Sequence, residues 1–115
     1  MSKDNKYIDR EKIGELLYRQ ENFVREFAEA AELSFKEFEQ DYTTYLLKRD
    51  ETNFRKAGHK IKPIAQMLEI EEIVDEYEHA KRLLWDEAAR EKLQESADRI
   101  QRICKQIIRE LKELR

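Results

Sequence analysis

His59 and His79 are the only two imidazoles in the chain, and their charged neighbours differ in sign. One helical turn either side of His59 lie Arg55 and Lys56, then Lys62 and Pro63, with Lys60 directly after it. Fixed positive charge disfavours the imidazolium and keeps the ring neutral and nucleophilic near neutral pH. The same cations would stabilise negative charge on whatever the ring took up. The setting suits a nucleophile that must meet an anion, such as a phosphoryl group. His79 has Asp75 and Glu76 one turn before it and Arg82 and Leu83 one turn after. Two carboxylates repel such a group, so His79 reads as an ordinary surface residue.

Other chemistries lack their residues. A metal centre needs several clustered ligands, and two histidines 20 positions apart with one distant cysteine do not supply them. A di-iron carboxylate site would need repeated Glu-x-x-His pairs, and only Glu76 with His79 makes one. No serine or cysteine has a histidine at helical spacing to act as its base, and there is no glycine-rich phosphate loop. A self-sufficient enzyme is not expected, and neither is a cofactor.

Helical periodicity decides which way His59 points. Phe54, Ala57, Ile61, Ile64 or Ala65, and Leu68 recur in steps of three and four, so they share one face. His59 is two residues from Ile61, about 200° around the helix, and faces water. Pro63 bears on the same site. The amide of residue 63 would normally donate to the carbonyl of His59, but proline has no such proton and crowds that carbonyl. The apolar stripe continues in phase to Leu68. That favours one helix kinked at Pro63, helping to present the imidazole, over a break at Lys62.

The chain has 115 residues, of which 43% are charged and 40% apolar, with two glycines and one proline. One domain spanning residues 1–115 is expected, and it reads as all-α: strands and turns need more glycine and proline. The net charge of −3, with both signs interspersed, disfavours a nucleic-acid partner. Cys104 is the single cysteine, so no internal disulfide is possible, and it sits on an apolar helical stripe as a core residue. With no apolar signal core and no membrane-length apolar run, no membrane partner is expected and the expected location is cytoplasmic.

Residues 1–6 are polar and expected to fray. Asp9 is the N-cap of a short helix to about Leu17, with Gly14 inside it. A long helix from about Gln20 to Leu47 carries the stripe Phe23, Phe27, Ala31, Phe35 or Ser34, Phe38, Tyr42 and Tyr45. Asp50 is the N-cap of the helix bearing His59. A fourth helix runs from about Glu71 to Leu84 with Ile73, Tyr77, Ala80 and Leu84 inward. Asp86 is expected to cap a last helix from about Glu87 to Leu114, with a seam at Leu93, Ala97, Ile100, Cys104, Ile107, Leu111 and Leu114. Short connections predict an antiparallel up-down four-helix bundle with a short additional N-terminal helix, and a monomer rather than a coiled-coil dimer.

Ala57-Gly58-His59-Lys60-Ile61-Lys62-Pro63, followed by Leu68, resembles the signature of histidine-containing phosphotransfer (HPt) domains. Those show a histidine, a lysine three residues on, a glycine next, and a leucine-glycine pair further down. The likeness covers nearly the whole chain, because the family fold is the same bundle with a leading helix. It implies that His59 carries a phosphoryl group on Nε2 between receiver-domain aspartates. It also implies that Lys62 neutralises phosphoryl charge, with Arg55, Lys56 and Lys60 as a supporting basic patch. The partners implied are receiver domains of a response regulator or a hybrid histidine kinase. They would supply the magnesium, so this chain would need none. Pro63 stands where the common pattern has glycine, a Lys-Pro form that looks like a variant within the family. Glu69 replaces the later glycine. Lys81 sits where members often carry a glutamine or glutamate that steadies the ring, and Gln66 is the candidate substitute. Two other readings stay open: a helical adaptor that docks receivers or kinases without phosphotransfer, and a purely structural bundle. For docking, Ile8 and Ile13 are candidates that would serve equally as core.

Overall fold

A computed structural model describes residues 5–115. Among the described residues there are five α-helices and no strand: α1 (Arg10–Leu16), α2 (Glu21–Leu47), α3 (Glu51–Met67), α4 (Glu71–Trp85) and α5 (Arg90–Lys112). Two starts are set by the expected carboxylates. Asp9 accepts a hydrogen bond from the Lys12 amide at 3.1 Å, and Asp50 accepts one from the Asn53 amide at 3.2 Å. These bonds satisfy amides that a helix leaves without partners at its first turn. α3 runs through Pro63 as a single helix.

The ends of α1 to α4 share one device. Just past each C-cap the chain turns left-handed, at Tyr18, Arg49, Glu69 and Glu87, with φ of 57°, 56°, 57° and 52°. Two amides then reach back to the helix's last carbonyls. At α4 these are Glu87 to Leu84 (3.2 Å) and Ala88 to Leu83 (2.9 Å). This closure corrects the expected start of the last helix. Asp86 is the C-cap of α4, and Glu87 and Ala88 complete that helix's end. Ala89, in extended conformation, is the residue from which α5 begins.

α2 packs against α3 and α5, α4 packs against the same two helices, and α1 touches α2. Their buried side chains form one core cluster. An aromatic ladder crosses it from α2 through α3 to α4. Ring centroids are 5.4 Å apart for Phe38–Tyr42, 4.9 Å for Tyr42–Phe54 and 5.2 Å for Phe54–Tyr77. Leu93, Ala97, Ile100, Cys104, Ile107 and Leu111 of α5 are all fully buried, which leaves that seam no free face for a second helix. Burial pushes the Cys104 thiol up, away from its reactive form. Phe23, expected on the α2 stripe, is 47% exposed. The three steps of four from Phe23 to Phe35 each overshoot a full turn, so Phe23 lies about 120° off the buried face.

Three buried polar residues, Glu32, Ser96 and Glu110, were not singled out by periodicity. Glu110 accepts the backbone N–H groups of Lys6, Tyr7 and Ile8, each at 2.9 Å, and the Gln106 amide at 2.8 Å. Lys6 is therefore held, contrary to the expectation of a frayed 1–6 segment; residues 1–4 lie outside the described residues. Glu32 is paired with Arg115 at 2.7 Å. Ser96 bonds Tyr42 at 2.7 Å and donates to Glu76 at 2.7 Å, and Glu76 is also gripped by Arg99 at 2.9 Å. Each buried polar group thus finds partners, as it must to avoid a desolvation cost of roughly 1–3 kcal/mol.

Two outcomes test this account. A left-handed L-residue costs roughly 1 kcal/mol that glycine does not pay, so Glu87→Gly should stabilise the protein by about 0.5–1 kcal/mol in urea melts. Burial alone would raise the Glu110 carboxyl, but its hydrogen bonds together outweigh burial and hold it below the ordinary value of 4.5. The lowered value means its contribution is present above pH 4.5 and is lost as pH falls through the folded value. Glu110→Gln should cost about 1–3 kcal/mol near neutral pH. The gap to the wild type should narrow in acid melts below pH 4.5.

Candidate functional site

His59 is exposed on α3, on the side away from buried Phe54, Ala57, Ile61 and Ala65. The residue before it sets how α3 meets α4. Gly58 is buried, and a Cβ there would collide with the ring of Tyr77. Tyr77 therefore lies directly on bare α3 backbone, and its hydroxyl donates to the Arg55 carbonyl at 3.4 Å. Gly58 is a packing requirement, and its partner on α4 was visible in the sequence only as one more inward-facing aromatic.

The cations expected around His59 are largely paired. Arg55 meets Glu51 at 3.1 Å, Lys60 meets Glu37 of α2 at 3.3 Å, and Lys62 meets Glu78 of α4 at 3.1 Å. Lys56 has no ion-pair partner among the described residues. The collar is thus closer to electrical balance than the α3 sequence alone implies, because two of the three carboxylates come from other helices. Lys81, the departure on α4, also binds Glu78 at 3.1 Å. The amines of Lys62 and Lys81 lie 5.9 Å and 5.2 Å from the centre of the Tyr77 ring. Lys62 first, then Lys81, hold the Glu78 carboxyl below its ordinary value, so it is charged at neutral pH.

No hydrogen bond holds the His59 ring among the described residues, and the exposed Gln66 side chain makes none there either. His79 is exposed on α4. Ile8 and Ile13, the docking candidates, are 2% and 3% exposed and belong to the core. The exposed apolar residues lie elsewhere. On α3, Pro63 and Met67 follow His59 in steps of four and are exposed beside it. On α2, Leu33 is 67% exposed and edges a shallow groove with Lys60 and Ala57. Glu69, the other departure, occupies the left-handed position that ends α3 and pairs with Lys12. A glycine would suit that backbone without strain.

Among the described residues, no group of three or more His, Cys, Asp or Glu side chains is placed to hold a metal ion. No described helix is long and apolar enough to cross a membrane. No family model, curated protein or solved structure matches the chain.

Gly58→Ala should cost about 1–3 kcal/mol in denaturant melts, since the Tyr77 ring must move. Tyr77→Ala should remove that collision. The double variant should then lose less stability than the two single losses added together.

Proposed function

We propose that this chain is a phosphoryl carrier of the HPt type, an antiparallel four-helix bundle of α2 to α5 with α1 as its leading helix. The observation that carries the reading is the exposed, unencumbered imidazole of His59, one turn from Lys62 on a helix fixed from behind by Gly58 and Tyr77. In the transfer step the Nε2 lone pair attacks the phosphorus of a receiver's phosphoaspartate. The N–P bond forms as the aspartyl P–O bond breaks, and the aspartate leaves as a carboxylate. The reverse step delivers the group to a second receiver aspartate. Lys62 stabilises charge on the phosphoryl oxygens, with Arg55, Lys56 and Lys60 as outlying positive charge. The receiver supplies the magnesium. Pro63, Met67 and Leu33 offer the apolar contact that a docking receiver needs near the ring. The chain works as a monomer in the cytoplasm, with no nucleic acid or membrane partner.

One observation favours a second reading, an adaptor that docks receivers without taking the phosphoryl group. The carboxylates of Glu37, Glu51 and Glu78 offset the basic collar.

Incubation with a panel of phosphorylated, magnesium-loaded receivers separates the two. The wild type should become labelled and His59→Gln should not; an unlabelled wild type with receivers still bound supports the adaptor. Lys62→Ala should slow transfer about tenfold, the worth of one charge-assisted hydrogen bond. Its melting should change by less than about 1 kcal/mol, because its resting ion pair is partly open to solvent. A large melting shift with normal transfer would contradict the role given to Lys62.

A further inference from the structure

One carboxylate on α4 holds two lysines beside the phosphoacceptor. Glu78 Oε2 binds Lys62 at 3.1 Å and Glu78 Oε1 binds Lys81 at 3.1 Å. Both amines lie over the face of Tyr77. The side chains of Lys62, Lys81 and Glu78 are 33%, 31% and 42% exposed, so the group is partly sheltered but open to an incoming anion. Tyr77 in turn rests on Gly58, the residue preceding His59. The cluster carries two positive charges and one negative, and the negative one occupies the lysines that a phosphoryl group would want.

We propose that Glu78 is a resting counterion of the phosphoryl site, displaced from Lys62 and Lys81 when His59 is phosphorylated, and that Lys81 is a second cation for the phosphoryl group. The inference rests on the carrier reading of His59. A phosphoryl group brings about two negative charges and three acceptor oxygens, against one charge and two oxygens on the carboxylate. Each lysine therefore gains by changing partner. Glu78 keeps competing for both amines, which weakens the phosphorylated state. The carboxylate thereby limits how long the phosphohistidine lasts and favours passing the group onward. Glu78 acts only through the lysines and is a positioning residue.

Cations hold the phosphohistidine more tightly than its loose, metaphosphate-like transition state for hydrolysis, where charge on the oxygens is smaller. Freeing the lysines should therefore slow hydrolysis. The test uses phosphoramidate, which phosphorylates histidine without a partner protein. His79→Gln is present in every sample, so that only His59 takes the label. Phosphohistidine decay is followed by phosphorus NMR in this background, in Glu78→Gln, in Lys81→Ala, in Lys62→Ala with Lys81→Ala, and in that pair combined with Glu78→Gln.

Glu78→Gln should lengthen the lifetime about two- to fivefold, the ratio that a partly exposed charge pair is worth. Lys81→Ala should shorten it by a similar factor. The gain from Glu78→Gln should vanish when both lysines are absent, which a merely structural role would not produce. An unchanged or shortened lifetime in Glu78→Gln overturns the proposal, as does a gain that survives loss of both lysines. Failure of the carrier reading looks different: the protein takes phosphoryl from phosphoramidate but from no phosphorylated receiver, and the inference then falls with it.

Discussion

The ring of Tyr77 packs on backbone that only glycine leaves bare, and both sides of the molecule are referred to that contact. Inward, Tyr77 continues the aromatic ladder of Phe54, Tyr42 and Phe38 and so joins α4 to α3 and α2. Outward, its face underlies the amines of Lys62 and Lys81. Gly58 immediately precedes His59, so the close approach that seats the ring also fixes the backbone from which the imidazole projects. Core packing and site geometry are thus one constraint, because well-packed interiors transmit a displacement rather than absorb it.

Electrostatics add a second layer. A row of cations on one helix would repel itself and would hold any passing anion. Carboxylates from α2, α3 and α4 temper that row, and two of the pairs reach across to another helix. Exposed pairs of this kind add little to stability, so their effect falls on what the surface binds and how firmly. Buried charge is handled differently. Glu110 and Glu32 are enclosed and satisfied by several donors each, tying the N-terminal segment to α5 and Arg115 to α2.

Much of the fold was legible in the sequence because its helices are strongly periodic. The buried faces of α3, α4 and α5 match the residues that steps of three and four single out, and Asp9 and Asp50 cap where short polar side chains precede apolar runs. The exposure of His59 followed from the same spacing. The rest was hidden for physical reasons. Four of the helices close through left-handed residues that are not glycine, so composition gave no stop signal and Asp86 read as a start instead of an end. Phe23 was misplaced because repeated steps of four drift around a helix. Glu110 looked like any surface glutamate, since its partners are backbone amides about 100 residues away. The balance of charge around His59 was invisible along α3, because Glu37 and Glu78 arrive from other helices.

The central claim concerns one bond, between phosphorus and a ring nitrogen of His59. Its most direct test is nitrogen-15 NMR of the histidine rings after incubation with a phosphorylated receiver and magnesium. The account predicts phosphorus–nitrogen coupling at Nε2 of His59, with His79 unchanged. Phosphorus found at another residue, or remaining on the receiver while the His59 signals stay as they were, would contradict it.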